Sequence, residues 1–335
     1  SFMMSRIKPM ISFELGRNPL IRSCPSNFRD FIPEPYLGVL IISADFELAW
    51  AWRFSKGMKD AVKESEQYAR KARRNIPVLL ELCEQYDIPI TWGTVGHLFL
   101  DRCQKSEGQP AHPEIRRLNY FENDWWRYKT GDWFDHDPAS SREENDAWYA
   151  PDLVEQILAS PVDHEIGCHT FSHIDCRDGI CPSFVLQDEL SACQKAADRF
   201  GIQLKSFIFP GHTMGNFQAI REAGYTSVRT NYINEIGYPE QDEYGLWHFP
   251  ATAEIILNSN WSRHYNLYRY RKLIDRTLKA KAVTNLWFHP SLPSDTAPLL
   301  FEHLFQQIDR QRNRLWVTTM AEYADWLNER SSVSG

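Results

Sequence analysis

Apolar residues along this chain come in two rhythms. Short, nearly unbroken runs of strand length recur at residues 37–44, 88–95, 165–169, 206–210, 226–230, 246–249, 283–288 and 315–319; the first reads as a strand covered on both faces. Between them, apolar positions return every three or four residues, as on one face of a helix. Two helical stretches follow the first run. The second is expected to start at Asn75, with Pro77 in its first turn and Ile76, Leu79, Leu80, Cys83 and Tyr86 on one face. A helix over 152–160 opens after Pro151. Ser183 is read as the cap of another, whose face is Leu186, Leu190, Cys193, Ala197 and Phe200 and which Gly201 closes. Further helices are expected at 217–223, 266–280, 298–312 and 320–330. Residues 1–35 are mixed and contain proline; they read as a wrapping extension.

Strands and helices in alternation predict a mostly parallel sheet. Residues 101–150 break the rhythm. They are polar and charged yet carry Tyr120, Phe121, Trp125, Trp126, Tyr128, Trp133, Phe134, Trp148 and Tyr149, the pattern of an insertion with little regular structure. Such a segment either covers a site as a lid or packs on itself. Asp132, Asp135, His136 and Asp137 within it are candidates for bonding a ligand's hydroxyls.

Composition narrows the class. The chain has 335 residues, 43% of them hydrophobic and 13% aromatic, enough to bury a large core. A net charge of −7 and a pI of about 5.9 argue against nucleic acid or another polyanion as partner. The seven cysteines form no CxxC pair, and Cys176 and Cys181 match no common zinc spacing; free thiols in a reducing, cytoplasmic compartment are expected. No run reaches the roughly 18 apolar residues of a membrane span.

Candidate chemistry sits where the apolar runs stop. Asp45, His169, Pro210 and His289 each fall at a strand C-terminus, the end where barrels of alternating strands and helices build their sites. His169 and His173 are four apart, a spacing that suits metal ligation. Asp45 and Glu47 are two apart and share a face if the strand persists that far. Two imidazoles and one carboxylate make a catalytic divalent site with an open position, and the spare carboxylate is then a natural base. The competing readings are a structural acid at a strand end and a chance pair among 11 histidines. His289 is either a proton donor or a histidine bonded to backbone. Cys168 is read as core, and Trp50, Trp52, Trp92 and Trp287 fall near these strand ends.

In this order the segments resemble the polysaccharide deacetylase family, also called NodB homology or carbohydrate esterase family 4. Ser43-Ala-Asp45-Phe-Glu47 stands at the first motif, usually Thr-Phe-Asp-Asp-Gly. His169-Thr-Phe-Ser-His173 matches the second, His-Ser/Thr-x-x-His, in full. Phe209-Pro210-Gly211-His212 matches the third loosely, with Ile208 where an arginine orients the base. Gly224-Tyr-Thr-Ser-Val-Arg229 stands at the fourth but lacks the aspartate that holds the catalytic histidine. Residues 286–289 match the fifth. Arg229 and Arg53 are both candidates to replace the missing arginine.

The resemblance covers about residues 36–330. It implies a distorted, incomplete (β/α)7-type barrel forming one catalytic domain, with the aromatic insertion between the first motif strands. Glu47, His169 and His173 would hold a divalent metal, zinc first, with cobalt, nickel or manganese as alternatives. Asp45 would be the base and His289 the acid. Trp92, Pro210, Gly211, His212, Arg229 and Trp287 would contact substrate, and a backbone N–H near Gly211 would hold the oxyanion. The substrate implied is an N-acetylated sugar of a surface glycan or its precursor. Two alternatives stand beside this: another amide or cyclic-ureide hydrolase on the same scaffold, and a sugar-binding protein with a vestigial site.

Overall fold

The computed structural model describes residues 2–119, 122, 126 and 131–333. In chain order the elements are α1 (Phe2–Glu14), β1 (Leu20–Ile21), β2 (Gly38–Phe46), α2 (Ala61–Tyr86), β3 (Thr91–Thr94), α3 (Pro151–Ala159), β4 (Glu165–Cys168), α4 (Ser183–Asp198), β5 (Ser206–Ile208) and α5 (Phe217–Glu222). There follow β6 (Ser227–Thr230), β7 (Glu235–Ile236), β8 (Glu240–Gln241), β9 (Trp247–Pro250), β10 (Ala253–Glu254), α6 (Arg263–Ala280), β11 (Val283–Phe288), α7 (Ala297–Arg310), β12 (Leu315–Thr318) and α8 (Met320–Val333).

The main sheet runs β10-β11-β2-β3-β4-β5-β6-β9-β8 and is parallel apart from the β8–β9 pair. The alternating pattern predicted this parallel sheet, and it curls into the distorted, incomplete barrel that the family resemblance implied. β12 pairs with Gly38–Ile41 of β2, while β3 pairs with Ser43–Phe46, so β2 serves different partners along its length. The two ends of the sheet approach where the chain steps from β9, beside β6, to β10, beside β11. Backbone bonds from Ala251 N to Thr230 O (2.7 Å) and from Thr252 N to Asn285 O (2.8 Å) hold this seam.

Strand parity divides the core in two. Leu40, Ile42, Ala44 and Phe46 of β2 join the layer between sheet and helices. Val39 and Ile41 face the other way and pack with Ile208, Phe249, Met320 and Tyr323 inside the barrel. Successive strand residues point to opposite faces, so Ser43 and Asp45 continue the inner face upward. The interior is therefore apolar at the strand starts and polar at the strand ends. The same parity puts Val283, Asn285, Trp287 and His289 of the β11 segment inward, with Leu286 and Phe288 in the outer layer.

Two local expectations are corrected, on Asn75 and Ser183. Asn75 does not start a helix: α2 is continuous from Ala61, capped by the Asp60 side chain, with Pro77 inside it. Tertiary contacts override the local signal, because the buried Asn75 amide donates to Pro290 O (2.8 Å) and Leu292 O (2.6 Å) and ties down the loop after β11. Ser183 is the first residue of α4 rather than its cap, the position before it being Pro182 with no side-chain cap bond. Residues 1–35 include regular structure: α1 lies against α6, where Arg276 donates to Phe13 O (2.8 Å), and β1 pairs with β7. Among the described residues, no helix is long and apolar enough to cross a membrane.

Candidate active site

Glu47 follows β2 and its backbone opens a short 3-10 turn over Leu48–Trp50. Its Oε2 lies 3.0 Å from His169 Nε2 and 3.3 Å from His173 Nε2, and the three residues are buried. His169 stands just beyond β4, its backbone N–H donating to Thr94 O (3.0 Å) and its Nδ1 facing Ile208 O at 2.7 Å. Nδ1 therefore donates to that carbonyl, and Nε2 is the nitrogen turned to the Glu47 carboxylate. A cation shared between the two would be held by both, and a backbone carbonyl fixing the far nitrogen is the usual support of a metal-ligating histidine. His173 fits the same role, since burial lowers its pKa to about 4 and keeps the ring neutral. The donor set thus suits a divalent cation. Burial alone would push the Glu47 carboxyl up; hydrogen bonds from His169 and His173 outweigh it and hold Glu47 well below the usual carboxylate range.

The loop between the two histidines is held at every residue. Gly96 N donates to Thr170 O (2.8 Å), His97 N to Phe171 O (3.0 Å) and Arg53 to Ser172 O (2.7 Å). Glu189 accepts from both Ser172 N (3.0 Å) and Ser172 Oγ (2.9 Å). Thr170 (φ 61°) and His173 (φ 55°) adopt the left-handed region, a conformation that non-glycine residues keep only where surroundings enforce it. Gly96 must be glycine for this contact, because a Cβ there would meet Cys193 Sγ at 2.6 Å and the Phe171 ring at 2.9 Å.

Asp45 lies beside this set on the inner face of β2. Arg229, inward on β6, places Nη1 2.8 Å from Asp45 Oδ1 and also donates to Ser43 Oγ (3.0 Å). Burial opposes ionisation of Asp45, but the Arg229 guanidinium, with His169 and His289, lowers its pKa below the usual value. Of the two arginines left open by the sequence, Arg229 is the one at the acid. Arg53 instead clamps backbone, donating to the carbonyls of Trp50, Trp133 and Ser172.

His289 follows β11 with Nε2 at 3.5 Å from both Asp45 Oδ2 and Glu47 Oε1. Its Nδ1 is 3.3 Å from Glu254 Oε1 on β10. Burial disfavours the charged ring, yet Glu254 first, then Glu47 and Asp45, raise its pKa to about 9. Sequence reading missed Glu254, the acid that faces His289 Nδ1. Its signal was faint: an acid four residues past Pro250, where the apolar run 246–249 stops.

Asp45, Glu47, His173, Glu254 and His289 line one cavity of about 290 Å³, walled also by Trp52, Ser55, Trp126, Trp287, Gly211 and His212, with His169 buried behind Glu47. Gly211 and His212 both have positive φ (56°), in the short turn after β5, and burial lowers the His212 pKa to about 4. Pro210 and Arg229 are buried behind the lining. Trp92 is misplaced by one step of strand parity: its neighbour Gly93 faces Ile208 inside the barrel, so Trp92 packs outward on Phe46 and Phe288.

The insertion contributes both ways. Trp133, Phe134, Trp148 and Tyr149 are buried, packing with Trp50 and Phe54, while Trp126 bridges to Ser55 and lines the cavity. Asp132 and Asp137 do not face the cavity; they are bound to Arg117 and to His97 and His112. Tyr120, Phe121, Trp125 and Tyr128 lie outside the described residues.

No family model and no curated protein matches this sequence. Solved structures do match in shape. A Mycobacterium smegmatis protein titled a polysaccharide deacetylase superposes with a TM-score of 0.63 at 12% identity, covering 93% of this chain and 95% of that one. A second, titled a polysaccharide deacetylase from Pseudomonas aeruginosa PAO1, gives 0.61 at 13%, covering 91% and 98%. Puue allantoinase also gives 0.61, at 14%, covering 90% and 93%. The chain therefore has the polysaccharide deacetylase fold of NodB homology and carbohydrate esterase family 4.

Proposed function

We propose that this protein is a metal-dependent carbohydrate N-deacetylase. The observation that carries the reading is the convergence of Asp45, Glu47, His173 and His289 on one cavity at the strand C-termini, with His169 buried against Glu47. Two proteins of this shape are described as polysaccharide deacetylases, which supports the class of chemistry.

Glu47, His169 and His173 would hold the divalent cation, zinc by the nitrogen and oxygen donors. Bound there, the cation would lower the pKa of water and polarise the substrate carbonyl. Asp45 takes the proton of the attacking water; Arg229 keeps it ionised and fixes its direction. Water adds to the acetyl carbonyl carbon, and the C–N bond breaks as His289 gives its Nε2 proton to the departing amine. Acetate and a free amino sugar result. Glu254 holds His289 in its protonated form for that step.

The cavity is near the small end of ligand sites, and Trp52, Trp126 and Trp287 offer apolar faces of the kind that cover sugar rings. Both features favour a single or terminal N-acetylated sugar over the middle of a polymer, in the making of a surface glycan or its precursor. The cavity equally admits a small cyclic amide, and one protein of this shape is named an allantoinase. The deciding experiment loads the protein with zinc and follows acetate and free-amine release from N-acetylated sugars. Wild type should release both, and His169→Ala should lose metal and turnover together. Equal metal in both proteins would refute the ligand set; ring opening of a ureide without deacetylation would move the substrate class.

A further inference from the structure

A second cluster of metal-ligating side chains lies outside this centre and shares no residue with it. His97 comes from the turn after β3, Cys103 and His112 from the segment that follows, and Asp137 from farther along the insertion. Their donor atoms all lie within 4.8 Å of one another. His97 Nε2 is 2.9 Å and His112 Nε2 2.7 Å from the same oxygen, Asp137 Oδ2. Cys103 Sγ is 3.6 Å from His97 Nε2 and 3.4 Å from Asp137 Oδ1. The His97 and Asp137 side chains are fully buried.

The way the donor atoms converge decides what this cluster is. His97 Nδ1 faces Trp148 O at 2.8 Å, so that nitrogen donates to the carbonyl and Nε2 is the one turned to the cluster. There it meets a carboxylate oxygen already approached by a second imidazole. A nucleophilic Cys–His–Asp triad does not fit. There the sulfur and the carboxylate sit on opposite ring nitrogens, whereas here both converge on Nε2. Convergence of nitrogen, sulfur and oxygen donors on one point is coordination geometry. Four protein donors leave no open position, which marks a structural zinc site rather than a catalytic one. Sulfur with imidazole selects zinc over magnesium or calcium.

We propose that His97, Cys103, His112 and Asp137 form a closed zinc site that staples the insertion to the back of the His169–His173 loop. Binding displaces the Cys103 thiol proton to solvent, and no electron is transferred. The staple reaches the loop through His97, whose backbone N–H donates to Phe171 O (3.0 Å), and through the Phe171 ring, 5.7 Å from His97 and 5.2 Å from His112. His112 adopts φ 48°, a strained backbone consistent with a side chain held from its far end.

The full chain, reconstituted with cobalt, tests this directly. Glu47, His169 and His173 contain no sulfur, so a thiolate-to-cobalt charge-transfer band reports the second site alone. Wild type should bind about two ions per chain and show the band. His169→Ala should keep the band with about one ion, and Cys103→Ser should lose it with about one. Wild type that binds cobalt without the band overturns the proposal, as does a band that survives in Cys103→Ser. Should Cys103→Ser fail to fold, zinc-edge anomalous scattering from wild-type crystals decides. A peak among the four side chains supports the site, and a peak at Glu47 alone overturns it.

Discussion

Replacing Arg229 by methionine removes the cation that faces Asp45 and leaves a buried carboxylate behind. The two groups are 2.8 Å apart, and their side chains are 1% and 6% exposed. At an effective dielectric of about 20, that separation corresponds to roughly 6 kcal/mol of attraction, set against the cost of burying both ions. Breaking such a pair on one side typically costs about 3–5 kcal/mol. Urea unfolding at pH 7, with equal metal loading, should show that loss, and turnover should fall with it. Adding Asp45→Asn removes the orphaned charge, so the double variant should regain most of the stability while remaining inactive. The pKa of Asp45 is lowered in the folded state. Its stabilisation is therefore complete above the ordinary aspartate value of 3.8 and is lost as the pH falls below it, so the gap between wild type and Arg229→Met should close in acid. A single variant within about 1 kcal/mol of wild type at pH 7, or losses that simply add in the double variant, would refute a buried ion pair here.

Glu254→Gln should shift the alkaline limb of the pH–rate profile down by about one unit, because Glu254 is the largest influence raising His289 to about 9; an unmoved limb would remove Glu254 from the site. Burial raises the Glu189 pKa from 4.5 to about 7. The folded state thus binds a proton that the unfolded state releases, and stability is lost as pH rises between those values, on the order of 2–3 kcal/mol. Glu189→Gln can still accept from Ser172 and should flatten that decline in thermal unfolding; a slope identical to wild type would count against it. Trp126→Ala should raise KM for an N-acetylated monosaccharide several-fold, about 1 kcal/mol for a lost stacking face, and a KM unchanged would detach the insertion from the cavity.

Much of this fold was legible because strand periodicity carries its own geometry. The run before Asp45 states that a buried strand ends there; the strand stops at Phe46, so Glu47 reaches the same cavity from the turn that follows rather than by strand parity. His169 and His173 announced themselves by spacing. What escaped was set by contacts between distant segments. Glu254 meets His289 only because the seam from β9 to β10 closes beside β11, 35 residues away in sequence. Asn75 looked like a helix start because its partners, Pro290 O and Leu292 O, are invisible locally. Trp92 was misjudged because aromatic character near a strand end says nothing about parity. His97, Cys103, His112 and Asp137 fit no familiar spacing, since contacts between separated segments bring them together.

The division of β2 into inner and outer faces bears on which insertions and deletions this fold can survive. Deleting one residue between Gly38 and Ser43 would reverse every side chain upstream of the cut or downstream of it. Either Asp45 would turn into the apolar layer beneath the helices, or Val39 and Ile41 would leave the barrel interior to Leu40 and Ile42 in the wrong register with β11 and β12. Beyond a strand end the rule lapses, because a loop has no parity to lose and closing a longer one costs only logarithmically more. The chain carries some fifty residues between β3 and α3 without disturbing the pairing of β3 with β4. Length variation in homologues should accordingly collect at the strand ends, around the cavity, where it can reshape substrate choice while the strands keep count.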